Sequence, residues 1–240
     1  MAIRKVGVII QARTDSSRFP KKVLAKIEEK PLLWHVLQRA KKISPNVILA
    51  TTNRSKDDII EKIGIDADVK IFRGNKNNVL NRYVKAAEKF NIDVIIRITS
   101  DCPLIDPNES KKVVRKFIKN NYDYVTTDDK TYPKGLDTEC VSLKVLKKIL
   151  DVTDDKFEKE HVTMYIYKNP KKFRIGLVKN KKKIPTTTRW VVDYKEDLEF
   201  VKKVYSKLYK KNKLFQMNDI IKLLKNNKEI THKLENGIKN

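Results

Sequence analysis

The chain has 240 residues, 40% of them hydrophobic, which is enough for one substantial core and is not the composition of a disordered protein. Its formal charge of +24 raises a nucleic-acid partner. The lysines, however, are scattered along every predicted helix with one local run, Lys179–Lys183, and few aromatics are interleaved, so a nucleic-acid role is disfavoured. Apolar runs such as Val6–Ile10 and Val94–Ile96 are too short to span a bilayer. The start, Met1 to Lys5, lacks a signal-peptide layout, and a cytoplasmic protein away from the membrane is expected. Two cysteines and three histidines give neither a disulfide framework nor ligand spacing for zinc.

Val6–Gln11 reads as a buried strand: continuous, β-branched and stopped by a polar loop. Pro31 then opens a helix with Leu32, Leu33, Val36, Leu37, Ala40 and Ile43 on one face. A strand over 47–50, a helix over 56–63, a strand over 69–72 and a helix through Val79, Tyr83, Ala86, Ala87 and Phe90 follow. The next strand, 94–98, ends at Thr99-Ser100-Asp101-Cys102-Pro103, and Asp106-Pro107-Asn108-Glu109 reads as a capping box. This alternation with short connections predicts an α/β fold whose sheet is mostly parallel and flanked by helices.

After Tyr124 the order loosens. A turn-rich stretch precedes an expected strand over 138–142. A helix around 161–167, strands over 173–178 and 189–192, and terminal helices near 198–209 and 218–224 are expected beyond it. The reading is one domain over 1–240, with an irregular insertion around 125–188 and a helical C-terminal end over 195–235.

Ligands of open α/β sheets bind outside the carboxyl ends of the strands. Three polar clusters fall there: the loop after the first strand, Thr99–Pro103, and Asp193. The loop, within "VIIQARTDSSRFPKKVL", carries Arg13, Arg18, Lys21 and Lys22. Such a loop can meet an anion with backbone N–H groups and side-chain cations, although a solvated basic loop is the other reading. Neither a Walker loop nor G-x-G-x-x-G occurs.

That segment, with "RGNKNNVLNRY", "RITSDCPLIDP", "YPKGLDTE", "EHVTMYIY" and "RWVVDYKEDLE" in one order, resembles the spore-coat polysaccharide biosynthesis protein F branch of the cytidylyltransferases. That branch is similar to the synthetases of CMP-activated 3-deoxy-octulosonate and sialic acids. The resemblance implies a glycosyltransferase-A-like (Rossmann-like) nucleotidyltransferase that transfers CMP from CTP to a sugar acid and releases pyrophosphate. Carried over by position, Arg13, Lys22 and Asp101 would be catalytic. Gln11, Ala12, Arg13, Ser16, Lys22 and Arg73 would bind the nucleotide, and Asp101 and Asp193 would hold Mg²⁺. The partners implied are CTP and a sugar acid, with a homodimer left open. The family usually has glycine where Lys21 stands, and glycine also occurs among relatives at Ser100.

Each residue has a plainer reading. Asp193 stands in Asp-x-x-Glu before a helix and could be its N-cap; Asp101 could close an Asx turn before Pro103. His161, among apolar neighbours, reads as a satisfied core histidine rather than a catalytic one. Asp137 and Glu139 could face the sugar, and Arg189 could hold a substrate carboxylate or pair with an acid. The competing functions are another sugar nucleotidyltransferase, a glycosyltransferase of the same fold, and a non-catalytic basic nucleic-acid-binding protein.

Overall fold

The continuous apolar strands of the first half are buried on both faces, as parallel strands covered by helices must be. The computed structural model describes residues 4–181 and 189–230. In chain order, β1 (Val6–Gln11) leads to a small hairpin, β2 (Lys26–Ile27) and β3 (Lys30–Pro31), and then α1 (Leu32–Ala40). β4 (Val47–Thr52), α2 (Asp58–Asp66), β5 (Lys70–Gly74), α3 (Val79–Lys89), β6 (Val94–Thr99) and α4 (Pro107–Lys119) complete the alternating half. The second half holds β7 (Tyr124–Thr127), β8 (Glu139–Ser142), α5 (Leu143–Val152), α6 (Lys156–His161), α7 (Met164–Lys168), β9 (Ile175–Val178), α8 (Lys195–Leu208) and α9 (Met217–Asn226).

The seven-stranded sheet runs β5-β4-β1-β6-β8-β7-β9. Only β8 opposes its neighbours β6 and β7, so the sheet is mixed and mostly parallel, as expected. Along β1, Val8 and Ile10 enter one apolar layer with α1, α4 and α8, while Ile9 enters the other with α3 and α5. No helix among the described residues is long and apolar enough to cross a membrane.

Differences from the sequence reading concentrate beyond Tyr124. The span read as an irregular insertion contributes β7, β8, β9, α5, α6 and α7 within its described part. The helix expected around His161 is two short helices broken at Val162, whose φ is 53°. Arg189–Val192 is not a strand: Arg189 makes one isolated bridge to Lys134, outside the sheet. Asp106 does cap α4, but the Glu109 carboxylate accepts from Tyr132 Oη at 2.6 Å and from Lys112 rather than completing a capping box. Lys182, Lys183 and the stretch 231–235 lie outside the described residues.

Two local constraints place the functional loops. Asp57 has no exposed surface; its Oδ1 accepts from the Thr14 backbone N–H (2.8 Å) and hydroxyl (2.7 Å), and its Oδ2 accepts from Thr52 and from Arg54 (2.7 Å). This ties the loop after β1 to the end of β4. Burial opposes ionisation of Asp57, but the hydrogen bonds from Thr52, Thr14 and Arg54 outweigh it and hold the carboxyl at about 2. The second constraint is Gly135, with φ 105°, where a Cβ would stand 2.5 Å from the backbone of Trp190 and Val191. Only glycine allows the 134–135 turn to receive the Trp190 N–H at Lys134 O (2.7 Å).

Gly135→Ala should therefore cost more than about 2 kcal/mol, since it meets both a left-handed backbone and a backbone clash. Denaturant unfolding checks this, and an unchanged midpoint would contradict it. Asp57 has a folded pKa depressed below its unfolded value of about 3.9. Its stabilisation is thus complete above the unfolded value and is lost as pH falls from there through about 2. Asp57→Asn should be less stable than wild type at pH 7, and the gap should narrow between about pH 4 and pH 2. Thermal unfolding across pH reads this directly.

Candidate active site

β1 and β6 end side by side, with Gln11 paired to Thr99. The loops that leave them meet over one amine: Lys22 Nζ lies 2.7 Å from Asp101 Oδ2 and 3.0 Å from Asp193 Oδ1. Lys22 starts a single helical turn after Lys21, whose φ of 57° and ψ of 23° are left-handed. That conformation costs a side-chain-bearing residue about 1–2 kcal/mol, and glycine would adopt it without that cost. Burial works against the Lys22 ammonium, but Asp101 and Asp193 overcome this and raise its pKa. Lys22 is a fixed cation.

The plainer readings of the two aspartates do not hold. Asp197 Oδ2, rather than the Asp193 carboxylate, accepts from the N–H groups of Asp193 (2.7 Å) and Tyr194 (2.8 Å) at the start of α8. The Asp193 carboxylate is left to face Lys22, Arg18 (2.6 Å) and Arg189 (2.9 Å). Burial raises its pKa, yet Lys22 and then Arg18 pull it below the ordinary value. Asp101 directs its carboxylate at Lys22 instead of a turn N–H, and its carbonyl accepts from Val192 N–H at 2.9 Å. Arg189 belongs to this cluster, pairing with Asp193 and, at 3.6 Å, with Asp197.

Among the described residues no group of three or more His, Cys, Asp or Glu is arranged to hold a metal. The protein donors available are the two carboxylates of Asp101 and Asp193, both hard oxygen ligands already compensated by cations. Mg²⁺ is characteristically held by one or two carboxylates, with substrate phosphates and water completing its shell, so this pair fits it.

Lys22, Arg18 and Asp101 line a cleft of about 1170 Å³ with seven basic side chains and three carboxylates in all, while Asp193 lines the chamber beside it. Gln11, Ala12, Arg13, Ser16, Lys22 and Asp101 all line the cleft. Arg13 Nη2 is held by Glu160 Oε1 at 2.6 Å, and Ser16 Oγ accepts weakly from Phe19 N–H at 3.4 Å. Arg73 is not brought to the cleft. Its guanidinium is taken by Asp58 (2.6 Å), Glu61 (2.7 Å) and the carbonyls of Thr52 and Arg54, because α2 presents those acids to the end of β5.

A second chamber of about 610 Å³ adjoins the first and shares Arg18, Thr99, Asp101 and His161 with it. His161 is exposed at their common rim, its ring 4.2 Å from that of Phe157, so it is not a core histidine. Asp137 and Glu139 line the second chamber; Glu139 accepts from Arg97 and Thr163, each at 2.9 Å, while Asp137 receives the Gly135 N–H. Lys179 lines it too, alongside Lys130 and Lys134. Sequence reasoning missed Glu160 and Arg82. Arg82, 2% exposed with a guanidinium pKa lowered to about 10 by burial, had a signal: it interrupts the apolar face of α3 between Val79 and Tyr83.

Comparison with known proteins bears on the family and the fold. Residues 7–230 match the family model described as cytidylyltransferase. The chain is 33% identical over 208 residues to the spore coat polysaccharide biosynthesis protein SpsF of Bacillus subtilis, covering 83% of this chain and 85% of that one. It is 37% identical over 118 residues to a 3-deoxy-manno-octulosonate cytidylyltransferase of Haemophilus influenzae, covering 48% of this chain and 46% of that one. A solved cytidylyltransferase from Leptospira borgpetersenii superposes with a TM-score of 0.91 at 32% identity, over 99% of this chain and all of the other. The chain belongs to the cytidylyltransferase family.

Proposed function

We propose that the protein transfers CMP from CTP to a sugar acid and releases pyrophosphate, for the synthesis of a surface polysaccharide or glycan. The observation that carries this reading is the junction of the two chambers at Asp101, with Lys22 bridging Asp101 and Asp193. The larger chamber has the cation excess a triphosphate requires. The smaller is lined by six carboxylates and five cations, and of these Lys130, Lys134 and Lys179 would be the groups to meet the carboxylate of an acceptor.

In the proposed reaction an acceptor hydroxyl oxygen forms the new bond to the α-phosphorus of CTP as its proton passes to solvent, the bond to the bridging oxygen of pyrophosphate breaks, and pyrophosphate leaves. Lys22, held by its two carboxylates, and the Arg13 guanidinium offset the charge that builds on the phosphates. Arg13 must exchange Glu160 for a phosphate oxygen, a trade of one charge-assisted bond for another. Asp101 and Asp193 would hold Mg²⁺, which when bound would neutralise phosphate charge as a Lewis acid. Gln11, Ala12 and Ser16 would line the nucleotide, and His161 stands at the entrance shared by donor and acceptor.

Pyrophosphate release from CTP, screened against a panel of sugar acids, tests the reading. Lys22→Ala should cut turnover by roughly 10²- to 10³-fold. Lys181→Ala, at an exposed position away from both chambers, should change it little. Unfolding temperatures measured alongside separate a lost cation from a lost fold. Equal effects of the two substitutions would contradict the assignment.

The metal role has its own test. CTP with Mg²⁺ should raise the unfolding temperature more than CTP alone, since a ligand at about 100 times its dissociation constant adds roughly 2.7 kcal/mol. Asp101→Asn and Asp193→Asn should each remain folded and lose the Mg²⁺-dependent increment. Retention of that increment by both variants would falsify the proposed ligand pair.

A further inference from the structure

The carboxylate that occupies Arg13 belongs to a segment whose backbone is strained. Glu160 lies near the end of α6, and its Oε1 accepts from Arg13 Nη2 at 2.6 Å; both residues line the larger chamber. Two residues on, Val162 has φ 53° and ψ −58°, and the Thr163 N–H donates to the His161 carbonyl at 2.6 Å. This is the γ-turn of positive φ, the rare and strained form. A β-branched residue in that region is an outlier, and it persists only where its surroundings hold it from several sides.

Three anchors hold this one. The Val162 side chain has no exposed surface and packs in the apolar layer with Val79, Tyr83 and Ile166. The Thr163 hydroxyl donates to Glu139 Oε2 at 2.9 Å, and Glu139, paired with Arg97, lines the smaller chamber. Glu160 on Arg13 is the third. The start of α6 is fixed separately, since Asp155 caps it and Glu158 accepts from Thr153 and from Lys168 at 3.0 Å. The strained piece is therefore short, residues 160–163, and it runs from one chamber to the other, with His161 lining both.

Two of the anchors are buried, but the third can be exchanged. The side chains of Arg13 and Glu160 are 33% and 47% exposed, and Glu160 offers the guanidinium one carboxylate oxygen. A triphosphate offers the same kind of partner with more charge. We propose that Glu160 is a built-in competitor of the triphosphate at Arg13, and that its displacement releases the strained turn at Val162 and with it the wall of the smaller chamber. The inference rests on the cytidylyl-transfer reading above for the identity of the displacing anion. Without nucleotide, the ion pair keeps the turn wound. Once a phosphate takes Arg13, the turn loses an anchor, the Thr163 N–H gives up the His161 carbonyl, and the rim at His161 rearranges. Donor binding thus readies the acceptor side, and by linkage an acceptor that favours the released turn tightens the nucleotide equally.

Calorimetric binding of inorganic tripolyphosphate with Mg²⁺, together with amide exchange followed by NMR, tests this on the full-length wild type and Glu160→Ala. A half-exposed ion pair is worth little, so Glu160→Ala should bind tripolyphosphate tighter by only roughly 2- to 5-fold. In the wild type, tripolyphosphate should remove the protection of the Thr163 amide; in Glu160→Ala that amide should exchange fast without it. The amides of α3, against which α6 packs, should stay protected in both, which separates a released turn from a lost fold. Unchanged or weaker tripolyphosphate affinity in Glu160→Ala would overturn the competitor role. A Thr163 amide that stays protected with tripolyphosphate bound would overturn the release. Both effects in a protein that liberates no pyrophosphate from CTP with any sugar acid would uphold this inference and overturn the cytidylyl-transfer reading.

Discussion

The ammonium of Lys22 stands between the carboxylates of Asp101 and Asp193, with only 12% of its side chain exposed, and the three residues come from widely separated parts of the chain. None of these charges could be left alone at that depth, because an unpaired buried charge is among the most expensive things a fold can contain. Each therefore fixes the others. Arg18 and Arg189 join on the side of Asp193, and the cluster is compensated without any ligand. Such a cluster adds little to stability as a whole, since desolvation offsets much of the attraction. Its value is positional: it holds a cation and two hard anions at one point on the sheet edge, the point at which the proposed reaction would place its phosphates and Mg²⁺.

The supporting structure serves that point. β1 and β6 run in register to Gln11 and Thr99, which delivers the loop and Asp101 to the same edge. Asp57 fixes the loop from beneath through Thr14, and Asp15 fixes it from the side through Lys56 at 2.6 Å. Asp193 arrives from far along the chain, guided by the close crossing at Gly135 and by the Val192 N–H on the Asp101 carbonyl. Asp197 then takes the helix-capping work and frees the Asp193 carboxylate for Lys22. Packing, backbone geometry and charge thus converge on one arrangement.

Much of this was legible in the sequence, for identifiable reasons. Strands covered on both faces leave unbroken apolar runs, so β1, β4 and β6 could be read directly, and their polar ends marked the edge where the site lies. β7 could not be read: "YVTT" is four residues long and half polar, and its partners come from later in the chain. α5 was hidden because β8 runs straight into it, with Ser142 ending one element and capping the next through the Val145 N–H. Arg73 is a nucleotide contact by resemblance alone, and its place here depends on acids presented by α2, which take its guanidinium. His161 misled: its apolar neighbours Val162 and Ile166 are buried, but the break at Val162 turns the imidazole outward. For Asp193, the strand end before it favoured the ligand reading over a helix cap in Asp-x-x-Glu, and the position of Asp197 removes the cap.

The most direct test of the central claim follows the α-phosphorus itself. CTP labelled there, incubated with the protein, Mg²⁺ and a panel of sugar acids, should pass its label to a sugar nucleotide while unlabelled pyrophosphate appears in equal amount. Label that stays in CTP with every acceptor, or that ends in free CMP whether or not an acceptor is present, would contradict the account.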